Sequence, residues 1–394
     1  MNKKKEIVPK FRFPKYVNSE QWISTELSSL LDYERPDLYI VESDNYKNEG
    51  IPVLTANKSF ILGYTDEKNN IYSRVPVIIF DDFTTEKKYV DFPFKVKSSA
   101  IKILKPKGNN VLKFVFELMN TINFEAKEHK RYYISTYKKL FVYVPKDVKE
   151  QQNIADCLSS TDDLIDAESR KLKVLEKYKK GLMQKLFPAE GKTLPEWRFP
   201  EFKHCGNWEQ VTLTKVAFYE NGKAHENYIE EYGKYIVVNS KFIATDGEVK
   251  KHSNTANLLA KRGDILMVLS DVPNGRALAK CYFVDENDKY TVNQRICRLR
   301  SHDIDSLFLF YHMNRNKYFL DFDDGVKQTN LKKSDVLACP LLKPKEKREQ
   351  QKIADCLSEI DTIITKQFKK IERLETHKKG LLQGLFPSLE EVDV

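Results

Sequence analysis

No stretch of this sequence approaches the roughly 18 apolar residues that a membrane-crossing helix needs. The longest runs, such as VPVIIF from Val75, fall far short. The opening MNKKKEIVPKF is basic but has no apolar segment after it, so it does not read as a secretory signal. Cysteine is sparse: six residues, at positions 157, 205, 281, 297, 339 and 356, form no CxxC pair and have no close histidine partner. That excludes a zinc frame and a disulfide frame. The histidines show no ligand spacing either. These absences predict a cytoplasmic protein with no membrane contact and no metal of its own.

Signatures of catalysis are missing too. GKT at Gly191 would need a glycine five residues earlier to form a phosphate loop, and Leu186 stands there. DDFTTEKK from Asp81 crowds its carboxylates too closely for a metal-dependent nuclease and reads as a turn between two strands. There is no Asn-Pro-Pro-aromatic stretch of the kind adenine methyltransferases carry.

At 394 residues the chain is long for one domain, and two or more are expected. A net charge of +9 favours a polyanionic partner such as nucleic acid, although the charge is mixed along the chain. The strongest feature is a repeat. EQQNIADCLS begins at Glu150 and EQQKIADCLS at Glu349. The match extends without a gap from Lys149 to Pro188 and from Arg348 to Pro387, with 22 of 40 positions identical. The copies close alike, as KKGLMQKLFP and KKGLLQGLFP.

Each copy reads as one long helix. Ile154, Leu158, Ile165, Leu172, Leu175, Leu182 and Leu186 recur mostly at helical spacing. Ile353, Leu357, Ile360, Ile364, Phe368, Ile371, Leu374, Leu381 and Leu385 do the same. Helices of about 35–40 residues span roughly 52–60 Å. An amphipathic helix of that length must bury its stripe, and pairing the copies as a coiled coil does so. The other faces carry lysines, including Lys171, Lys173, Lys177, Lys179, Lys180, Lys366, Lys369, Lys370, Lys378 and Lys379. Cys157 and Cys356 share a place in the repeat, which predicts a packing role.

A weaker repeat precedes each helix. VPKFRFPKY from Val8 matches LPEWRFPEF from Leu194, and each leads to a tryptophan at the same distance, Trp22 and Trp208. Two blocks follow that mix strands with a helix but scarcely align. The proline-bearing stretch from Pro188 to Pro200 links the halves. The domain reading is residues 1–147 as a first block, 148–188 as a first long helix, 189–346 as linker and second block, and 347–394 as the second long helix with its tail. A scaffold kept in duplicate with divergent blocks predicts two related readers. On duplex DNA they would meet one face about one turn, roughly 10 base pairs, apart.

This layout resembles the specificity (S) subunit of type I restriction–modification systems, over the whole chain. The doubled EQQxIADCLS and KKGLxQxLFP helices carry the likeness, with RFPEF and EKREQQKIA adding to it. The resemblance implies an α+β fold: two globular mixed α/β target recognition domains separated by two long helices packed as an antiparallel coiled coil, with a pseudo-twofold internal repeat. It implies double-stranded DNA, two methyltransferase (M) subunits and two restriction (R) subunits as partners. S-adenosylmethionine and ATP with Mg would sit on those partners, leaving this chain without cofactor or catalysis. The seam residues would be Ile154, Leu158, Ile165, Leu172, Leu175, Leu182, Ile353, Leu357, Ile364, Ile371, Leu374 and Leu381.

Base reading favours Arg or Lys for guanine and Asn or Gln for adenine, while other basic groups hold phosphates. The candidate DNA contacts on loops and strand ends are Asn57, Lys58, Arg74, Lys87 and Lys88 in the first block. In the second they are Lys241, Lys250, Lys251, Asn274, Arg276, Lys327 and Gln328. DVPNGRA from Asp271 is a turn sequence that would present Arg276. NQRICRLR from Asn293 reads as a strand that leaves one of Gln294 and Arg295 free. A nuclease with its own recognition domain and a purely protein-binding coiled-coil scaffold remain as alternatives.

Overall fold

The structure is a computed structural model and describes residues 8–57, 59–128 and 130–387. By internal contacts the chain divides into two compact units. One runs up to Lys171 and takes in the chain again from Phe368; the other is Leu172–Gln367. Each unit therefore contains one block and part of each long helix.

The first unit is built on a four-stranded antiparallel sheet. Its strand order is Leu31–Glu34, Ile101–Pro106, Val77–Asp81, Lys87–Val90. A three-stranded sheet lies in the order Ile61–Thr65, Ile51–Leu54, Lys95–Val96, its last pair parallel. Ile23–Glu26 and Phe141–Val144 pair antiparallel to close the block. Val77–Asp81 is buried along its whole length, as its continuous apolar run requires. The helix Leu112–Asn120 turns Phe114, Val115, Leu118 and Met119 into the core.

The second unit repeats this topology. Its four-stranded sheet runs Ala217–Asn221, Ile296–Ser301, Ile265–Val268, Cys281–Phe283. Its three-stranded sheet runs His252–Ser253, Tyr235–Val238, Tyr290–Val292, again with the last pair parallel. Glu209–Thr212 pairs with Pro340–Lys343. The helix Ser306–Met313 starts on Asp305, whose side chain accepts from Phe308 N. YIVV is a strand but the SKFIA after it is a helix, because Asn239 caps it by accepting from Phe242 N at 2.9 Å. One stretch departs from its sequence reading: NQRICRLR is not a strand throughout. Asn293 makes an isolated bridge to Lys223, Gln294 and Arg295 form a turn, and the strand begins only at Ile296.

The long helices are Val148–Leu186 and Lys347–Leu385, each of 39 residues. No proline falls inside either, and Pro188 and Pro387 follow their ends. Within each unit the two helix segments run antiparallel. In the first unit, Lys378 reaches Asp162 at 2.5 Å and Lys370 reaches Glu168 at 2.5 Å, so one helix ascends as the other descends. In the second, Lys179 reaches Asp361 at 2.5 Å, and Tyr311 Oη donates to the same carboxylate at 2.7 Å. Asp162 and Asp361 hold the same repeat position, as do Lys179 and Lys378, so one clip sets the helix register in each unit. Three of the lysines on the outer faces are thus helix-to-helix partners.

Of the expected seam residues, Ile154, Leu158, Leu182, Ile353, Leu357 and Ile371 are buried. Ile165, Leu172, Leu175, Ile364, Leu374 and Leu381 are half-buried. Phe368 is exposed and Gln367 takes the inward place. Two successive four-residue steps, from Ile360 through Ile364, carry Phe368 about 80° past the apolar face.

The doubled motifs meet in a clasp that explains their letters. In the first unit, Arg12 of RFP makes a two-pronged bond to Glu150, with Nε to Oε1 at 2.7 Å and Nη2 to Oε2 at 2.8 Å. Trp22 Nε1 donates to Glu150 Oε1 at 3.2 Å. In the second, Arg198 grips Glu349 at 2.8 Å through the same two nitrogens and Trp208 Nε1 donates at 3.2 Å. Both carboxylates are only 1% exposed. The neighbouring glutamine ties the helix to its block: Gln151 Oε1 accepts from Val111 N at 3.0 Å, and Gln350 Oε1 from Asp305 N at 2.8 Å. The closing LFP serves the opposite half of the chain. Phe386 packs on Trp22 and Phe114 in the first unit, and Phe187 on Trp208 and Phe308 in the second. Phe11 N donates to Gly384 O at 2.7 Å, as Trp197 N does to Lys185 O at 2.8 Å. A Cβ on Gly384 would lie 2.0 Å from the Phe11 ring, so glycine permits this approach. Cys157 and Cys356 pack beside the two cores.

Candidate nucleic-acid interface

In the second unit the two loops 271–277 and 321–328 interlock. Asp271 holds the first by accepting from Val272 N at 2.9 Å, Ala277 N at 2.6 Å and Leu278 N at 3.2 Å. A Cβ at Gly275 would meet Asp271 Oδ2 at 2.1 Å, so the turn requires glycine. Asn274 sits at φ +54°. Its backbone N donates to Asp323 at 3.1 Å and its side chain to Gly325 O at 3.4 Å. Asn274 is thus spent on tying the loops together. Arg276 is exposed beside it with no hydrogen bond or ion pair among the described residues. Lys327 projects from the second loop, which Asp324 shapes by accepting from Val326 N and Lys327 N. Gln328 donates to Asn330 at 3.3 Å. Arg276, Lys327 and Gln328 therefore belong to one interlocked pair of loops. Lys241, on the short helix Ser240–Ala244, and Lys250 and Lys251, before His252–Ser253, are exposed on separate segments.

The candidates of the first unit are more dispersed. Asn57 is exposed on the turn between two strands; Lys58 lies outside the described residues. Arg74 donates to Glu34 at 2.6 Å and to Tyr39 Oη at 2.8 Å, and lies over the Tyr72 ring at 5.3 Å. That environment keeps its guanidinium above its ordinary pKa, chiefly through Glu34. Lys87 and Lys88 begin the strand Lys87–Val90. Burial lowers the pKa of Lys87.

The carboxylates of DDFTTEKK have structural partners. Asp81 accepts from Phe83 N and Thr84 N at 2.9 Å, making the turn. Asp82 is buried against Lys102 at 3.0 Å and accepts from Tyr133 N at 2.7 Å. Among the described residues no group of His, Cys, Asp and Glu could hold a metal ion, and no helix is long and apolar enough to cross a membrane.

The family model "Type I restriction modification DNA specificity domain" matches the chain twice, over residues 19–177 and 206–376. The chain belongs to the type I restriction–modification DNA specificity family. Among specificity subunits, it is 31% identical over 364 residues to the "Type I restriction enzyme EcoR124I/EcoR124II specificity subunit" of Escherichia coli, covering 87% of each chain. It is 27% identical over 272 residues to the MjaVIII specificity subunit of Methanocaldococcus jannaschii, covering 63% of this chain and 62% of that one. The fold is similar to the crystal structure of the type I restriction–modification S subunit from M. genitalium. There the TM-score is 0.66 at 17% identity, over 98% of this chain and 100% of that one. A second neighbour, from work on complex assembly and conformational transition of the type I system, has a TM-score of 0.54 at 13% identity, over 93% and 98%. This specificity subunit carries the family's recognition domain twice.

Sequence reading passed over Lys332 and Lys333, exposed cations next to Asn330 and Leu331. A lysine pair in a charged chain gives no local signal.

Proposed function

We propose that each unit reads one half of an asymmetric, bipartite duplex DNA target, and that the two long helices fix the gap between half-sites and dock two methyltransferase (M) subunits. Two restriction (R) subunits complete the assembly. Adenine methylation with S-adenosylmethionine and ATP- and Mg-dependent cleavage reside on those partners, and this chain supplies the address. One observation carries the reading: a single topology occurs twice on duplicate clasps, while the exposed loops differ. Reading two unlike half-sites requires that combination. Arg276, Lys327 and Gln328 are the contacts assigned to the second half-site, with Lys241, Lys250 and Lys251 as backbone contacts. Asn57, Lys87 and Lys88 are those assigned to the first.

The test is a genome-wide map of methylated adenines in cells expressing the chain with its cognate methyltransferase, against cells lacking it. A new motif of two unlike half-sites around a fixed gap is expected. An assembled complex that adds no motif would overturn the DNA-reading function and favour a protein scaffold.

A further inference from the structure

The second unit holds a cleft of about 370 Å³ lined by Ser270, Arg295, Asn330, Lys332 and Lys333, with Tyr219 at its side. No carboxylate lines it. Arg295, Lys332 and Lys333 are exposed, and the guanidinium of Arg295 and the ammonium of Lys332 have no ion-pair partner among the described residues. Lys333 Nζ lies over the Tyr219 ring at 5.6 Å. Ser270 is 6% exposed, and its Oγ is buried with no hydrogen-bond partner among the described residues. A buried hydroxyl left unpaired is costly unless something supplies a partner. Arg295 sits at φ +70°, a conformation an L side chain adopts at a cost.

The first unit builds the same backbone frame and fills it differently. There Asp82 N donates to Ala100 O at 2.9 Å and Tyr132 N to Asp82 O at 2.8 Å. In the second unit Leu269 N donates to Arg295 O at 2.8 Å and Leu331 N to Leu269 O at 2.8 Å. By this correspondence Ser270 stands where the first unit has Phe83, Arg295 where it has Ala100, and Lys332 where it has Tyr133. Three uncharged side chains, two of them aromatic, give way to a hydroxyl and two cations.

Resting on the DNA-reading function above, we propose that this cleft is a phosphate clamp, present in the second unit and without a counterpart in the first. Arg295 and Lys332 grip one backbone phosphate of the DNA and Ser270 donates its hydroxyl to it. The clamp holds the duplex in register and reads no base.

The test uses the full chain in complex with its methyltransferase subunits and a duplex carrying the mapped site. Affinity is measured against KCl for wild type, Arg295→Gly and Arg295→Gly with Lys332→Ala. Glycine takes φ +70° freely, so the turn is retained, and a thermal melt checks the fold. Each lost phosphate contact should lower the slope of log K against log salt by about 0.9. Because the two cations share one phosphate, the double variant should lose about 0.9 in slope while the methylated motif stays the same. A slope equal to wild type refutes the clamp, and so does an altered motif at an unchanged slope. If the wild-type complex itself shows no sequence-specific binding, the DNA-reading function fails first and takes the clamp with it.

Discussion

Replacing Arg198 with methionine isolates the clasp of the second unit. The substitution leaves Glu349 buried, with Trp208 Nε1 as its remaining donor of the three that now reach it. It also removes the bond from Arg198 Nη1 to Gly206 O at 2.6 Å. Removing one partner of a buried pair costs about 3–5 kcal/mol, because an uncompensated charge is left behind. For a unit of this size each kcal/mol moves Tm by about 2–4 °C, so a drop of about 6–20 °C is expected. Removing the charge as well should recover much of this. Arg198→Met with Glu349→Met leaves Trp208 Nε1 unpaired at about 1–3 kcal/mol. The double variant should therefore be more stable than the single one. Calorimetry of the full chain gives the readout, and Arg12→Met should produce the same loss in the first unit. A loss below about 1 kcal/mol for Arg198→Met, the range of an exposed pair, would refute the reasoning. So would a double variant less stable than the single.

Phe386→Ala should cost about 3–5 kcal/mol. Limited proteolysis should show that loss in the first unit, at the other end of the sequence, while the second resists as before. His312 is packed beside Phe187 and Phe308, and burial lowers its pKa to about 4 from its usual 6.5. The folded state thus refuses a proton that the unfolded state takes up below pH 6.5. Stability should be full above that pH and fall towards pH 4, and urea titrations of His312→Gln should show a shallower decline. Inserting four residues, near one turn, into one long helix should lengthen the gap in the methylated motif or abolish binding; an unchanged gap would remove the helices as spacers.

The long helices are legible because the repeat and the 3.6-residue period agree along nearly all of their length, Phe368 apart. The clasp was half legible. RFP and the tryptophan stood out as a repeat, but nothing local joins Arg12 to Glu150, which lies 138 residues away. The shared topology of the blocks was hidden because different apolar residues fill the same strands, as in VIIFD and ILMV. Gln294 and Arg295 depart from the strand pattern because Arg295 adopts a positive φ that no arginine signals in advance. Arg74 is a candidate DNA contact by its type and its place between strands, and its bonds to Glu34 and Tyr39 have no sign in the sequence. Exposure and partners are tertiary facts, which is why the loop contacts were the least readable part.

The exchange of the closing phenylalanines also bears on how the protein is made. Leu385 and Phe386 belong to the core that also contains Trp22 and Ile154. A ribosome that has finished the first block has not yet made the residues that seal it. At about 5–20 residues per second, the delay before they emerge is on the order of 10–40 s. Most domains can close in the order of their synthesis, but here the first to be made must wait for the last helix.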